Sequence, residues 1–207
     1  MTQRLTLEKA EEIMERNAGH LDLRGADIDS LPDGIMVGGD LNLSGAQIAS
    51  LPKGLLVGGN LNLSDSRIAS LPKGLLVGKS LNLCGAPISF LPEGLAVGGW
   101  LELRDSRIAS LPRGLMVGGQ IDLRGTGIKN AAFKRLRQGD YLPNQYLYAD
   151  GVLTPVKGRE EIGGYLFYIG RIKRHNVATD GKYFARCGKL EVGIQDIKIQ
   201  REIRKGR

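Results

Sequence analysis

Five side chains together could make a protein-recognition site, a tryptophan set among charges: Trp100, Glu102, Arg104, Asp122 and Arg124. Trp and Arg lead at such sites because each joins a large contact area to directional donors. Their spacing is regular: positions 102 and 104 recur twenty residues later as 122 and 124. Residues two apart in an extended segment point the same way, so all five would face outward together. They are the candidate partner-binding residues, the bland alternative being that Trp100 packs against the domain that follows.

Other chemistry finds less to work with. The chain has two histidines, His20 and His175, and two cysteines, Cys84 and Cys187, each pair split between different kinds of sequence. No HExxH, GxSxG, Walker loop or CxxC pair occurs. Cys187, in ARCGKLE, is the best nucleophile candidate, but its neighbours in sequence supply no base. The expectation is a non-catalytic protein with no catalytic residue, no metal site and no cofactor. Two isolated cysteines make no disulfide framework, which suits a reducing cytoplasm. The chain shows no long apolar run and no signal-peptide pattern at its start, so neither membrane nor export is expected.

Charge divides the chain. Residues 1–130 carry 13 Lys and Arg against 14 Asp and Glu, whereas residues 131–207 carry 16 against 8. All six tyrosines fall in the second part. Its basic excess and its aromatics, Tyr146, Tyr148, Tyr165, Phe167, Tyr168 and Tyr183, fit base stacking amid phosphate-binding cations. The second reading is therefore a nucleic-acid-associated regulator, with Arg171, Lys173, Arg174 and His175 as the phosphate contacts. The bland alternative is a small aromatic core under a solvated basic surface.

The elements that must position the first five residues are repeats. From Gly19 the chain runs GHLDLRGADIDSLPDGIMVG, GDLNLSGAQIASLPKGLLVG, GNLNLSDSRIASLPKGLLVG, KSLNLCGAPISFLPEGLAVG and GWLELRDSRIASLPRGLMVG, then a partial GQIDLRGTGIKN. The common pattern is G-x-L-x-L-x-x-x-x-I-x-x-L-P-x-G-L-x-V-G. The two leucines of L-x-L point inward, giving stacked columns Leu21 to Ile121, Leu23 to Leu123 and Ile28 to Ile128. Leu31, Leu51, Leu71, Leu91 and Leu111 continue the core on the return path. No copy can bury these residues alone, so each coil must seal the next. Pro32, Pro52, Pro72, Pro92 and Pro112 remove amide donors and exclude a regular helix, leaving extended or polyproline-like backbone with a tight turn. The Val-Gly-Gly stretches are expected to provide the bend into the next strand.

This period and pattern resemble the leucine-rich repeat family in its short bacterial Leu-Pro class, over residues 19 to 128. The resemblance implies a solenoid of parallel strands with a mostly non-helical return path and an outward strand face for docking a protein. At about 4.8 Å per strand, that face would be some 24 Å long, enough for one compact epitope. The chain departs from the family where many members have an internal asparagine: here stand Ala26, Ala46, Ser66, Ala86, Ser106 and Thr126. Some secreted bacterial members of the family end in a ubiquitin ligase with a catalytic cysteine, but the tail here is too short for that domain.

The outward positions form three columns: His20, Asp40, Asn60, Ser80, Trp100 and Gln120; Asp22, Asn42, Asn62, Asn82, Glu102 and Asp122; Arg24, Ser44, Ser64, Cys84, Arg104 and Arg124. All are read as free to vary, with the asparagines either binding residues or a solvated ladder.

Three segments follow: an N-terminal helical cap in 1–18, repeats over 19–130, and a small basic α+β domain over 131–207. Thr6 is the expected N-cap of a helix from Leu7 to Arg16, with Leu7, Ala10, Ile13 and Met14 inward and Gly19 as its stop. Beyond the repeats, AAFKRLRQG reads as a short basic helix or helical turn ending at Gly139. Hairpins are expected at Asp150-Gly151 and Asp180-Gly181, with a helix in KLEVGIQDIKIQREI and a mobile RKGR tail. The repeats joined to the ADG-x-L-TP and DGKYFA segments are similar to small proteins of bacteriophages and prophages. That similarity implies a cytoplasmic accessory protein that engages a host or phage component.

Overall fold

The computed structural model describes residues 5–129, 133–137, 140–142, 146–149, 152–162, 165–172, 175–179, 184–187, and 197, 198 and 200. The chain divides into two compact units, Met1–Arg135 and Leu136–Arg207.

The first unit opens with α1 (Leu7–Arg16), whose N-cap Thr6 accepts the Lys9 amide through its hydroxyl at 3.3 Å. Ala10 and Met14 are buried in the common core, with Ile13 packed against its edge, whereas Leu7 stays exposed. The helix ends at Asn17 rather than at Gly19. Ala18 takes a left-handed backbone (φ 52°), and the Gly19 amide then reaches back to the Met14 carbonyl at 2.8 Å.

Each coil that follows has two very short strands. In chain order they are β1 (Leu21–Asp22), β2 (Met36–Val37), β3 (Leu41–Asn42), β4 (Leu56–Val57), β5 (Leu61–Asn62) and β6 (Leu76–Val77). They continue as β7 (Leu81–Asn82), β8 (Ala96–Val97), β9 (Leu101–Glu102), β10 (Met116–Val117), β11 (Ile121–Asp122) and β12 (Lys134–Arg135). The odd strands form one parallel sheet in the order β1-β3-β5-β7-β9-β11, and the even strands a second. Pairing is in register with the repeat: Leu41 faces Leu61, Leu61 faces Leu81, and Leu81 faces Leu101. The result is a parallel β-solenoid of about five turns with a 20-residue repeat and one N-terminal helix. Between the sheets lies a single core in which Leu41, Leu61, Leu81, Leu43, Leu63, Leu83, Ile48, Ile68 and Ile88 are fully buried.

The return path is more ordered than its prolines suggest. After each Leu-Pro the chain turns at a glycine with positive φ, as at Gly54 (φ 74°), where the Leu55 amide donates to the Pro52 carbonyl. The second and third residues after that glycine, such as Leu76-Val77, are extended and pair with their counterparts, which satisfies backbone groups that polyproline geometry would leave to water. The run's outer residues, Met36, Leu56, Leu76, Ala96 and Met116, are apolar as well.

The chain bends at the Val-Gly-Gly glycines on the way into the next strand, as expected, and these glycines serve a second purpose as well. Gly58 and Gly59 do not have positive φ; a Cβ at Gly59 would stand 2.6 Å from the Gly39 carbonyl oxygen. Close approach of coil to coil excludes the side chain there. A different rule governs the turn after the first strand, where Gly45, Asp65, Gly85 and Asp105 all have positive φ. A Cβ at Gly85 would run into the Asp65 carboxylate, and one at Gly125 into that of Asp105, whereas Gly45 has only Gly25 nearby, at 4.0 Å. Aspartate tolerates this backbone, but one in a coil requires glycine in the next.

Residues 134–135 are strand, not the helix expected from AAFKRLRQG. Met116 pairs with Lys134 and Val117 with Arg135, a step of 18 residues instead of 20. The return sheet thus continues past the point where the letter pattern stops.

The described part of the second unit is an antiparallel sheet of β13 (Tyr141–Leu142), β14 (Tyr146–Ala149), β15 (Val152–Ile162), β16 (Tyr165–Ile172), β17 (His175–Thr179) and β18 (Phe184–Cys187), in sequential order. Ala149 pairs with Val152 and Thr179 with Phe184. The strands flanking both Asp-Gly turns are therefore antiparallel neighbours, the turn residues lying outside the described set. Of the expected C-terminal helix, Ile197, Lys198 and Gln200 are described and helical; the rest, and the RKGR tail, lie outside the described residues.

Candidate partner-binding surface

The outer face of the odd-strand sheet carries the three columns, and most of the first two are structurally employed. In the first, the Asp40 amide donates to His20 Nδ1 at 3.0 Å and the Asn60 amide to Asp40 Oδ1 at 2.6 Å. The Ser80 amide donates to Asn60 Oδ1 at 3.1 Å, and the Trp100 amide to Ser80 Oγ at 3.0 Å. Asn60 Nδ2 also reaches Asp40 Oδ1 at 3.1 Å. Four consecutive side chains thus each accept the amide one coil ahead. This external ladder does the tying that an internal asparagine performs elsewhere. At the internal position, Ser66 and Thr126 merely bond back to the carbonyls of Leu63 and Leu123 in their own coils, each at 2.7 Å.

The second column closes local turns. Asp22, Asn42, Asn62, Asn82 and Asp122 each accept the amide two residues ahead, at 2.9–3.3 Å. The Oδ1 atoms of Asn42, Asn62 and Asn82 are thus engaged within their own coils, and Asn60 is the asparagine that bonds from strand to strand. Sequence held a signal for both roles: every residue at the first position from His20 to Ser80 is an acceptor able to cap an amide.

Trp100 breaks this rule. Its indole offers a donor but no acceptor, so it cannot hold the Gln120 amide. It is nonetheless 56% exposed. The ring lies against the next coil, where a Cβ at Gly119 would collide with indole Cδ1.

Asp122 is the charge centre beside it. Arg124 Nε donates to its carboxylate at 2.9 and 3.1 Å, Arg124 Nη2 at 2.6 Å, and Arg104 Nε lies 3.8 Å away. The hydrogen bonds from Arg124, with the charges of both arginines, pull the Asp122 carboxyl down to about 2 against burial and hold the Arg124 guanidinium above its ordinary value. Glu102 has no cation within ion-pair distance among the described residues; its Oε2 lies 4.0 Å from Cys84 Sγ. Burial, first of all, pushes the Cys84 thiol up, helped by the Glu102 carboxylate, the wrong direction for a nucleophile. Trp100, Glu102, Arg104, Asp122 and Arg124 therefore share two adjacent coils of one sheet face, as their spacing predicts.

The basic candidates fall on the second unit. Arg171 pairs with Asn176 one residue before the end of β16, His175 opens β17 opposite Ile172, and Lys173 and Arg174 lie outside the described residues. Tyr148 is buried, and burial raises the Tyr146 phenol, so these two aromatics behave as core. Cys187 pairs with Asn176, the chain neighbour of His175, a nearness that only the sheet reveals.

Three exposed apolar residues escaped the sequence reading: Met36, 68% exposed on β2, Phe90, which replaces the serine of the other copies, and Phe133. Among the described residues, no group of three or more His, Cys, Asp or Glu is placed to hold a metal ion, and no helix is long and apolar enough to cross a membrane. The chain matches no family model, no curated protein and no solved structure.

Proposed function

We propose that this protein is a non-catalytic protein-interaction module that docks a partner on the odd-strand face around Trp100, Glu102, Arg104, Asp122 and Arg124. The observation that carries the reading is Trp100 itself. Four neighbours in its column serve the coil-to-coil ladder, and the indole cannot. A large exposed aromatic placed where a structural rule is abandoned is best explained by contact with something else. The solenoid is assigned to the Leu-Pro leucine-rich repeats, and the protein to phage- or prophage-encoded accessory proteins acting in the host cytoplasm. Replacing Trp100 and Arg104 together by alanine should abolish partner capture by the full chain from host extract while leaving its unfolding midpoint nearly unchanged. Unaltered capture by a folded double variant would refute the assignment.

The second reading, nucleic-acid association through residues 131–207, rests on their excess of 16 basic over 8 acidic residues. It requires steeply salt-dependent retention of the full chain on DNA or RNA. Indifference to both polymers removes it.

A further inference from the structure

We infer that the group recognised at this face is a cation: an arginine or lysine side chain of a basic peptide segment, stacked on Trp100 and neutralised by Glu102. This deepens the docking assignment and rests on it.

The face looks balanced in charge, with two arginines and two carboxylates, but the pairing is unequal. Both arginines are directed at Asp122, and Arg124 grips it through two nitrogens. An acidic partner would find that guanidinium already occupied. Glu102 is the opposite case, a carboxylate facing outward with no cation partner among the described residues. Its neighbours one coil back, Ser80, Asn82 and Cys84, bring no positive charge.

Trp100 immediately precedes β9 and Glu102 ends it, two residues apart on the outward side, so their side chains emerge roughly 7 Å from each other. One cation can then contact both: the indole face attracts it within about 6 Å of the ring centre, and the carboxylate supplies the counter-charge. Gly119 seats the indole in place, which lowers the ordering needed on binding.

Trp100 is the single tryptophan of the chain, so its fluorescence reads this site directly. The full-length protein is titrated with three capped peptides, Gly-Arg-Gly-Arg-Gly, Gly-Lys-Gly-Lys-Gly and Gly-Glu-Gly-Glu-Gly, with calorimetry in parallel. The basic peptides should shift Trp100 emission saturably in the millimolar range, and added salt should weaken them. The glutamate peptide should leave emission unchanged. Glu102→Gln, expected to unfold at the same denaturant concentration as wild type, should weaken the basic peptides roughly 3- to 10-fold, the range of one partly desolvated charge contact.

Binding of the glutamate peptide as tight as that of the basic ones would overturn the inference. So would equal binding by Glu102→Gln, or no response to any peptide. If Trp100→Ala abolishes partner capture but Glu102→Gln and excess basic peptide do not weaken it, the docking face stands and the cationic occupant falls. If Trp100→Ala leaves capture intact, the docking face itself falls.

Discussion

Asp40 is the most heavily used rung of the external ladder, and its removal tests whether that ladder holds the solenoid in register. Its Oδ1 accepts the Asn60 amide at 2.6 Å and Asn60 Nδ2 at 3.1 Å, both in part-buried surroundings. Asp40→Ala leaves two donors to find water at a crowded coil boundary, where Gly39 and Gly59 already approach to the limit. A hydrogen bond to a charged acceptor contributes about 1.5–3 kcal/mol and the second, weaker one about 0.5–1 kcal/mol. Partial access of water reduces the sum, so a loss of about 2 kcal/mol is expected. Trp100 fluorescence follows unfolding of the first unit, since that unit holds the only tryptophan. With a urea slope of about 2 kcal/mol/M, the midpoint should fall by about 1 M. Hydrogen exchange should show the Asn60 amide losing protection before the amides of β7. Asp40→Asn keeps an acceptor and should lose less than half as much. A midpoint within about 0.2 M of wild type for Asp40→Ala would refute the ladder as a stabilising device. An Asn variant as unstable as the Ala variant would show that charge, not the rung, is what matters.

Two further outcomes follow from the geometry. Gly45→Ala and Gly85→Ala both impose left-handed backbone on alanine, a penalty of about 1–2 kcal/mol. The second also drives a methyl group into Asp65, adding roughly 1–3 kcal/mol. A double-mutant cycle in urea should show Asp65→Gly recovering that excess for Gly85→Ala and none for Gly45→Ala. The Asp122 carboxyl should titrate at about 2 by NMR and climb toward the ordinary carboxylate range in Arg124→Ala. Because its folded value lies below the unfolded one, the pairing is fully present above about pH 4 and is lost as pH falls toward 2. An Asp122 titration unmoved by Arg124→Ala would show that the pair does not form.

The letters of this chain specify one dimension very well. A strict 20-residue recurrence of Leu, Leu, Ile, Leu and Pro fixes the columns of the core, because a coil can bury its apolar edge only against an identical neighbour. The helix of the cap was legible through Thr6, whose hydroxyl has an amide to accept, and the five candidate docking residues through their period. What the letters left open is what each outward residue touches. His20, Asp40, Asn60 and Ser80 look interchangeable with surface residues until stacking brings the next amide within reach. Only then does Trp100 become the exception in its column. The return sheet was hidden because proline argues against a helix but says nothing about whether the residues after it pair. The strand at Lys134–Arg135 was hidden because its coil is two residues short, so the letters lose step where the backbone does not. Sequence determined the repeat, because burial depends on residue type and spacing. Tertiary structure alone decided which polar groups are bonds and which are free, because hydrogen bonding depends on distances across coils that no single repeat contains.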